Sequence, residues 1–206
     1  YRLLSSLPTL RYLARSKTKI VILSHRGRPK SDPASRRKAS LRIVLPFLRK
    51  HFGGRVRFFD DSDFSRLRRR IISARPNTVI LLENLRFFEG EETNDRAFAQ
   101  SLASLGDMYV NDAFSVCHRN NASVTHLPSL LPSYAGLLLE GELTVLGKFL
   151  KTNSRSLVII LGGAKASDKI GVIKRFLHRA RIILLGGVPA NTFLKAKDFD
   201  IERSHV

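Results

Sequence analysis

The sequence has one cysteine, no internal repeat, no low-complexity tract and no apolar run that approaches the roughly 20 residues of a membrane-spanning helix. The single Cys117 cannot form a disulfide within the chain, which fits a reducing compartment but also suits others. At 206 residues and 43% hydrophobic content, the chain is long and apolar enough for one large or two small globular domains. No membrane partner is therefore expected.

The sequence also lacks an initial methionine. It opens with Tyr1 in what looks like the middle of a helical pattern. We therefore expect the natural N-terminus to lie upstream, and the absence of a targeting segment carries little weight.

Acidic residues are scarce in the first part of the chain. Residues 1–75 hold 21 Lys and Arg against four Asp, which gives +17 of the net charge of +19. Such a surplus attracts nucleic acid, acidic membrane or phosphorylated metabolites, and charge alone does not choose between them. The densest runs are Arg66 with Arg68-Arg69-Arg70, and Arg36-Arg37-Lys38. Because no aromatic platform for bases is interleaved with the Arg66 to Arg70 run, solvated helix faces are the simplest interpretation of both, and nucleic acid is an unexpected partner.

Apolar runs alternate with helical patterns, which predicts a parallel α/β architecture with right-handed crossovers. The strands are expected at about residues 19–23, 55–59, 78–82, 107–111, 157–161 and 181–185. The helices are expected near residues 2–14, 34–51, 62–74, 94–105, 140–152, 168–179 and 189–197.

The alternation breaks over Ser115 to Tyr134, where Pro128 and Pro132 signal turns. We expect residues 1–139 to form a Rossmann-like parallel-sheet domain that contains the four leading strands. Residues 140–155 then form a connecting helix and hinge, ending in the polar link Asn153 to Ser156. Residues 156–206 begin a second α/β domain, which we expect to be incomplete because two strands cannot make a well-covered parallel sheet.

The stretch from Leu157 to Lys169 has the pattern of a phosphate site. Five apolar residues lead into Gly162-Gly163, and paired glycines let a ligand approach the backbone where a buried strand ends. If a helix begins near Ser167, the side chains of Lys165 and Lys169 can both reach an anion at its N-terminus. The spacing does not match the Walker pattern. The alternative is an ordinary glycine-rich turn with two solvated lysines.

Basic residues also follow the predicted strands of the first domain. His25, Arg28, Arg86 and Arg119 lie in loops after successive strands, where ligands sit in an open α/β sheet. Each arginine can present a guanidinium fork to a phosphate or carboxylate, and His25 can donate a hydrogen bond. One arginine would be unremarkable, whereas several at consecutive strand ends predict an anion pocket.

These segments resemble a known family when they are taken together. The residues occur in a fixed order: Ser24-His25-Arg26-Gly27-Arg28-Pro29, Leu82-Glu83-Asn84-Leu85-Arg86-Phe87, Tyr109-Val110-Asn111-Asp112-Ala113-Phe114, His118-Arg119, the glycine-rich stretch, and Gly186-Gly187 with Thr192-Phe193-Leu194-Lys195. The ordered set resembles phosphoglycerate kinase over nearly the whole chain. The resemblance implies a glycolytic, cytoplasmic and monomeric enzyme that transfers a phosphoryl group reversibly between 1,3-bisphosphoglycerate and ADP, giving 3-phosphoglycerate and MgATP.

The resemblance also implies roles for individual residues. The 3-phosphoglycerate site would contain His25, Arg28, Arg86 and Arg119. The transferring phosphoryl group would be stabilised by Arg2 and Lys165, although a frayed terminal charge is an equal alternative for Arg2. The nucleotide would be bordered by Gly162, Gly163, Ala164, Gly186 and Gly187, with Lys169 on its phosphates. Two domains would close about the connecting helix.

The sequence departs from the family pattern in several places. The opening strand with its Asp-Phe-Asn motif and the later Gly-Asp-Thr motif for the metal nucleotide are absent, so we expect this chain alone to be inactive. Val116 and Asn121 stand where Thr and a second His are usual, and Val188-Pro189 replaces a Gly-Met type pair. The alternative function is a noncatalytic basic module that keeps the fold and binds phosphorylated metabolites or nucleic acid.

Overall fold

The computed structural model describes residues 2–151 and 157–206. In these ranges the α-helices are α1 Arg2–Ser5, α2 Leu7–Arg15, α3 Pro33–Ala39, α4 Leu45–Phe52, α5 Phe64–Ser73, α6 Glu89–Glu92, α7 Arg96–Ala103, α8 Ala122–Thr125, α9 Leu127–Leu130, α10 Leu137–Lys151, α11 Ser167–Phe176 and α12 Val188–Lys195. The strands are β1 Ile20–Ile22, β2 Val56–Phe59, β3 Val79–Leu82, β4 Tyr109–Asn111, β5 Ser133–Ala135, β6 Val158–Leu161 and β7 Ile182–Leu185. Four short 3-10 helices cover Leu41–Val44, Gly53–Arg55, Leu85–Phe87 and Phe114–Val116. Every helix within the described residues is too short or too polar to cross a bilayer.

The first sheet has β3 at its centre, with β1 and β2 parallel to it on either side. All four residues of β3 are buried, because side chains that alternate along the strand meet a separate hydrophobic cluster on each face. Val79 and Leu81 pack in the cluster formed with α2 and α4. Ile80 and Leu82 pack in the cluster formed with α5 and α7. The six predicted strands are all present, and the prediction of parallel α/β architecture is confirmed.

By packing, the chain divides into two compact units, Tyr1–Thr144 and Val145–Val206. The first unit holds a second sheet in which β4 is parallel to β5, so β4 does not hydrogen-bond to the first three strands. Strand β5 was not predicted, because its three residues are all exposed and carry no alternating pattern. The end of the predicted connecting helix and the whole Asn153 to Ser156 link fall outside the described residues.

Helix α10 begins at Leu137, three residues before the predicted Glu140, because two side chains accept hydrogen bonds from its first amides. The Leu137 amide donates to Thr9 Oγ1 at 3.0 Å, and the Leu138 amide donates to Asp112 Oδ1 at 3.0 Å. Both bonds satisfy N–H groups that a helix end leaves without an internal partner. Gly136 allows this arrangement, because a Cβ at that position would overlap the Asp112 carboxylate.

Three other predicted helices begin or break at polar residues. The helix predicted over residues 34–51 breaks at Ser40, whose side chain accepts from the Arg42 amide at 3.1 Å and starts a 3-10 turn. The helix predicted from residue 94 begins at Arg96, because Asp95 caps it by accepting from the Phe98 amide at 2.6 Å. The helix predicted over residues 2–14 is interrupted at Ser6. Local side-chain hydrogen bonds of this kind compete with helix continuation.

The second unit contains a parallel pair of strands, β6 and β7, and each strand is followed by a helix, α11 after β6 and α12 after β7. Alternate residues of this sheet remain open: Ile160 is 77% exposed and Leu184 is 49% exposed. Parallel sheets are usually covered on both faces, so one face of this pair lacks a covering layer within the described residues.

Candidate functional site

A basic cluster, defined here as Arg2, His25, Arg28, Arg86 and Arg119, forms in the first unit. Its members come from separate elements: Arg2 begins α1, His25 and Arg28 follow β1, Arg86 follows β3, and Arg119 follows β4. Burial, and then the charges of Arg86, Arg119 and Arg2, lower the pKa of His25 to about 4, because the three guanidinium groups lie near enough to disfavour the imidazolium. Arg28 in turn contributes to the lowered pKa of Arg86. The structure thus brings together all the anion-binding residues predicted for the first domain.

His25 and Arg28 are positioned by contacts between the loop after β1 and the segment after β3. The Leu85 amide donates to the Ser24 carbonyl at 3.1 Å, which continues the β1–β3 pairing beyond the strand ends. Gly27 has a φ of +64°, a conformation that other residues adopt with strain. The loop therefore turns back at Gly27 and leaves Arg28 exposed. Because parallel strands end at one edge of the sheet, the loops that follow them meet there.

The side chain of Arg86 is largely enclosed by its neighbours. Its side chain is 7% exposed, with Nη1 donating to the Gly27 carbonyl at 2.5 Å and Nε 3.3 Å from Glu92 Oε1. Burial and the charge of Arg119 lower the pKa of Arg86, and Glu92 opposes that shift. Arg86 therefore stabilises the Gly27 turn in addition to contributing positive charge to the cluster.

Arg28 and Arg119 have more open side chains. Arg28 is exposed and Arg119 is half-buried. No carboxylate among the described residues pairs with either of them. An incoming anion therefore meets two guanidinium groups that do not first have to leave a carboxylate.

Glu83 and Asn84 make hydrogen bonds to segments that adjoin the cluster. The Asn84 side chain is fully buried, and its Nδ2 donates to the carbonyls of Arg26 and Ala39 at 2.8 and 2.9 Å. Its Oδ1 accepts from the Arg86 amide at 3.1 Å. The Glu83 carboxylate accepts from the Ser40 hydroxyl at 2.6 Å and from the Leu41 amide at 2.8 Å. These bonds join three segments that are far apart in the sequence, so Glu83 and Asn84 support the loops that carry the cluster.

Two acidic residues on α6 belong to the site's surroundings and were not predicted. Glu92 pairs with Arg86, and Glu91 is buried and hydrogen-bonded to Ser123. The signal available in the sequence is weak. Glu83 is the first glutamate in the chain, and Glu89, Glu91 and Glu92 follow it closely.

The glycine pairs of the second unit lie against each other. Gly163 has a φ of +146° and Gly187 a φ of +62°, and the Val188 amide donates to the Gly163 carbonyl at 3.2 Å. A Cβ at Gly187 would lie 3.1 Å from the Gly163 carbonyl oxygen, tighter than ordinary packing. Gly162 and Gly186 are also adjacent, with a Cβ at Gly162 falling 3.8 Å from the Gly186 carbonyl oxygen. The four glycines form a backbone-lined cradle into which no side chain projects from those positions.

The lysines flank this cradle. Helix α11 begins at Ser167 as expected, with Lys169 in its first turn and Lys165 exposed in the loop before it. Lys169 Cε lies 3.5 Å from where a Cβ of Gly163 would be. Asp168 lies in the first turn of α11 but does not cap it, since the N-cap is Ala166 and no side chain caps the helix. An uncapped N-terminus beside glycines and lysines fits the phosphate groups of a nucleotide.

No group of three or more His, Cys, Asp and Glu side chains that could hold a metal ion occurs in residues 2–151 and 157–206.

Comparison with known proteins gives a consistent result. The family model described as phosphoglycerate kinase matches residues 1–206. A phosphoglycerate kinase of Thermomicrobium roseum is 45% identical over 208 residues, covering 100% of this chain and 52% of the relative. One from a Wolbachia strain of Drosophila simulans is 42% identical, covering 98% of this chain and 50% of the relative. The phosphoglycerate kinase structure from Pyrococcus horikoshii superposes with a TM-score of 0.84 at 31% identity, and covers 98% of this chain and 51% of that one. The chain thus spans about half the length of the curated relatives it matches.

Proposed function

Because this chain belongs to the phosphoglycerate kinase family, we propose that its basic cluster binds 3-phosphoglycerate and the corresponding end of 1,3-bisphosphoglycerate. The observation that carries the proposal is the convergence of Arg2, Arg86 and Arg119 on His25. With its pKa lowered to about 4, His25 is neutral near pH 7, so it can donate one hydrogen bond to an anion without carrying charge itself. The arginines then supply the positive charge.

We propose that the second unit binds ADP or ATP. Gly162, Gly163, Ala164, Gly186 and Gly187 would border the nucleotide, and Lys169 would hold its phosphates. The close approach of Gly163 and Gly187 supports this assignment, since a Cβ at Gly187 would crowd the Gly163 carbonyl oxygen. The cradle fits a ligand that lies directly against the backbone, as the phosphate chain of a nucleotide does at a helix N-terminus.

Phosphoryl transfer needs positioning and positive charge more than it needs a protein nucleophile. In the proposed reaction, the acyl phosphate of 1,3-bisphosphoglycerate passes to ADP, and Arg2 and Lys165 stabilise the charge on the moving phosphoryl oxygens. The Mg²⁺ enters with the nucleotide as part of the substrate.

We propose that the chain is part of a cytoplasmic, monomeric glycolytic kinase. We also propose that a chain of this length alone is inactive. A coupled assay of ATP formation from 1,3-bisphosphoglycerate and ADP tests it, run on this chain and on a version extended with the remaining family segments. We expect activity in the extended protein only. A folded extended protein without activity would contradict the proposed reaction.

A noncatalytic basic module is the second candidate, and the observation in its favour is the charge of residues 1–75, +17 of a total of +19. Exposed arginines on α5, such as Arg68 and Arg69, have no carboxylate partner among the described ion pairs. This function predicts binding to nucleic acid whose affinity falls steeply with salt, because each neutralised phosphate releases counterions. A weak affinity that does not depend on salt in this way would exclude it.

A further inference from the structure

Helix α6 carries two neighbouring carboxylates with different partners. The side chain of Glu92 is 56% exposed and pairs with Arg86. Glu91 is buried, with 4% of its surface exposed, and its carboxylate accepts from the Ser123 amide at 3.0 Å and from the Ser123 hydroxyl at 2.6 Å. Two donors on one carboxylate make strong, charge-assisted bonds of defined direction.

The segment that Glu91 holds is the one that carries Arg119. Ser123 lies four residues after Arg119, and Asn121 between them donates from Nδ2 to the Glu91 carbonyl at 3.1 Å. The Tyr109 hydroxyl adds a bond to the Ser123 carbonyl at 2.9 Å. Arg119 itself is held locally by its own amide, which donates to the Val116 carbonyl at 2.9 Å. Its side chain therefore depends on the segment for its position.

We infer that Glu91 is a positioning residue, which fixes Arg119 relative to Arg86 and His25 by anchoring Ser123 to α6. The inference rests on the proposed function, because it concerns the residues that would bind 3-phosphoglycerate. The physical reason is that α6 contacts both regions: Glu92 pairs with Arg86, and the adjacent Glu91 is hydrogen-bonded to Ser123 in the segment of Arg119. The separation of the two guanidinium groups is thereby set by one short helix.

A small displacement of Arg119 would matter, since positional errors of about 1 Å in binding groups can cost large factors in rate. Removing the Glu91 carboxylate leaves the Ser123 amide and hydroxyl without their acceptor. The segment then lowers its free energy by moving those groups toward water, and Arg119 moves with it.

The inference can be tested without ligand, because His25 reports where Arg119 is. The charge of Arg119 is one cause of the lowered pKa of His25, so a retreat of Arg119 raises that pKa from about 4. Loss of the Glu91 negative charge by itself acts in the opposite direction, because it removes an anion that favours the imidazolium. A rise in the pKa of His25 after Glu91→Ala therefore reports movement of Arg119.

The experiment is an NMR titration of the His25 ring protons in this chain, with the signal assigned from its absence in His25→Gln. Arg119→Ala gives the full rise in the pKa of His25 that follows from loss of the Arg119 charge. We expect Glu91→Ala to give at least half that rise and Ser123→Ala a smaller one. In Glu91→Gln the amide can still bond to both Ser123 groups, so the pKa of His25 should stay close to its native value. Glu89→Gln is the matched control, an exposed acid on the same helix, and should not raise the pKa.

Binding of 3-phosphoglycerate supplies the second readout. We expect Glu91→Ala to weaken it several-fold and Glu91→Gln to restore most of the affinity. An unchanged His25 pKa in folded Glu91→Ala would overturn the inference. If Glu91→Ala does not fold, Ser123→Ala decides in the same way, because it keeps the buried carboxylate. Failure of the native chain to bind 3-phosphoglycerate would count against the proposed function, while the ligand-free pKa measurement would still decide the role of Glu91.

Discussion

Asn84 offers the sharpest test of how the basic cluster is held in place. The side chain is 0% exposed and makes three hydrogen bonds, to the carbonyls of Arg26 and Ala39 and from the amide of Arg86. Asn84→Ala removes all three bonds and leaves buried polar groups without partners. The change affects the loop after β1 and the segment after β3 together.

The magnitude follows from the number of bonds. A typical hydrogen bond contributes about 1 kcal/mol net, so three bonds predict a loss of about 3 kcal/mol in the free energy of unfolding. That is a large part of the roughly 5–15 kcal/mol that stabilises a typical domain. In a protein of this size each kcal/mol lowers Tm by about 2–4 °C, so we expect a decrease of about 6–12 °C.

The assay is urea unfolding followed by far-UV circular dichroism, with binding of 3-phosphoglycerate measured in the folded baseline. Asn120→Ala is the matched control, because Asn120 is exposed and its side chain accepts one bond, from Asn94. We expect the control to cost less than about 1 kcal/mol. If Asn84→Ala costs no more than Asn120→Ala, the three buried bonds do not support the site and the reasoning is refuted.

Three other changes test separate features. Gly136→Ala places a Cβ against the Asp112 carboxylate that caps α10, so we expect urea unfolding to show a loss of about 2 kcal/mol, and a native-like midpoint would contradict the cap. Gly187→Ala combines a positive φ, which costs about 1–2 kcal/mol, with a close approach to Gly163. We therefore expect the affinity for ADP, measured by calorimetry, to fall about tenfold or more. Equal affinity in the variant and the native chain would argue against the cradle. Sulfate should raise the pKa of His25 above about 4 in an NMR titration, because a bound anion stabilises the imidazolium; no shift would mean that His25 does not face the anion.

The basic cluster could be predicted from sequence to the extent that strand ends determine it. His25, Arg28 and Arg86 follow β1 and β3, which are parallel neighbours, so their loops meet at one edge of the first sheet. Arg119 follows β4, which belongs to the second sheet. The apolar runs that predicted β1 and β3 therefore also predicted that the basic residues after these two strands would meet. The glycine pairs of the second unit were predictable for the same reason, because each follows an apolar strand.

The remaining detail depends on contacts between distant residues. Asn84 bonds to the carbonyl of Arg26, 58 residues away, and no local pattern contains that pairing. The enclosure of Arg86 by Gly27 and Glu92 has the same origin. Helix breaks such as Ser40 depend on a single side-chain hydrogen bond that apolar periodicity does not record.

The most direct test of the account is a titration of 3-phosphoglycerate into this chain and two variants, Arg28→Ala and Arg69→Ala. Both variants remove one exposed positive charge, but only Arg28 belongs to the basic cluster. We predict saturable binding that shifts the His25 resonances, a loss of at least tenfold in Arg28→Ala, and native affinity in Arg69→Ala. Equal weakening in the two variants would mean that diffuse charge attracts the ligand, and would contradict a built substrate site.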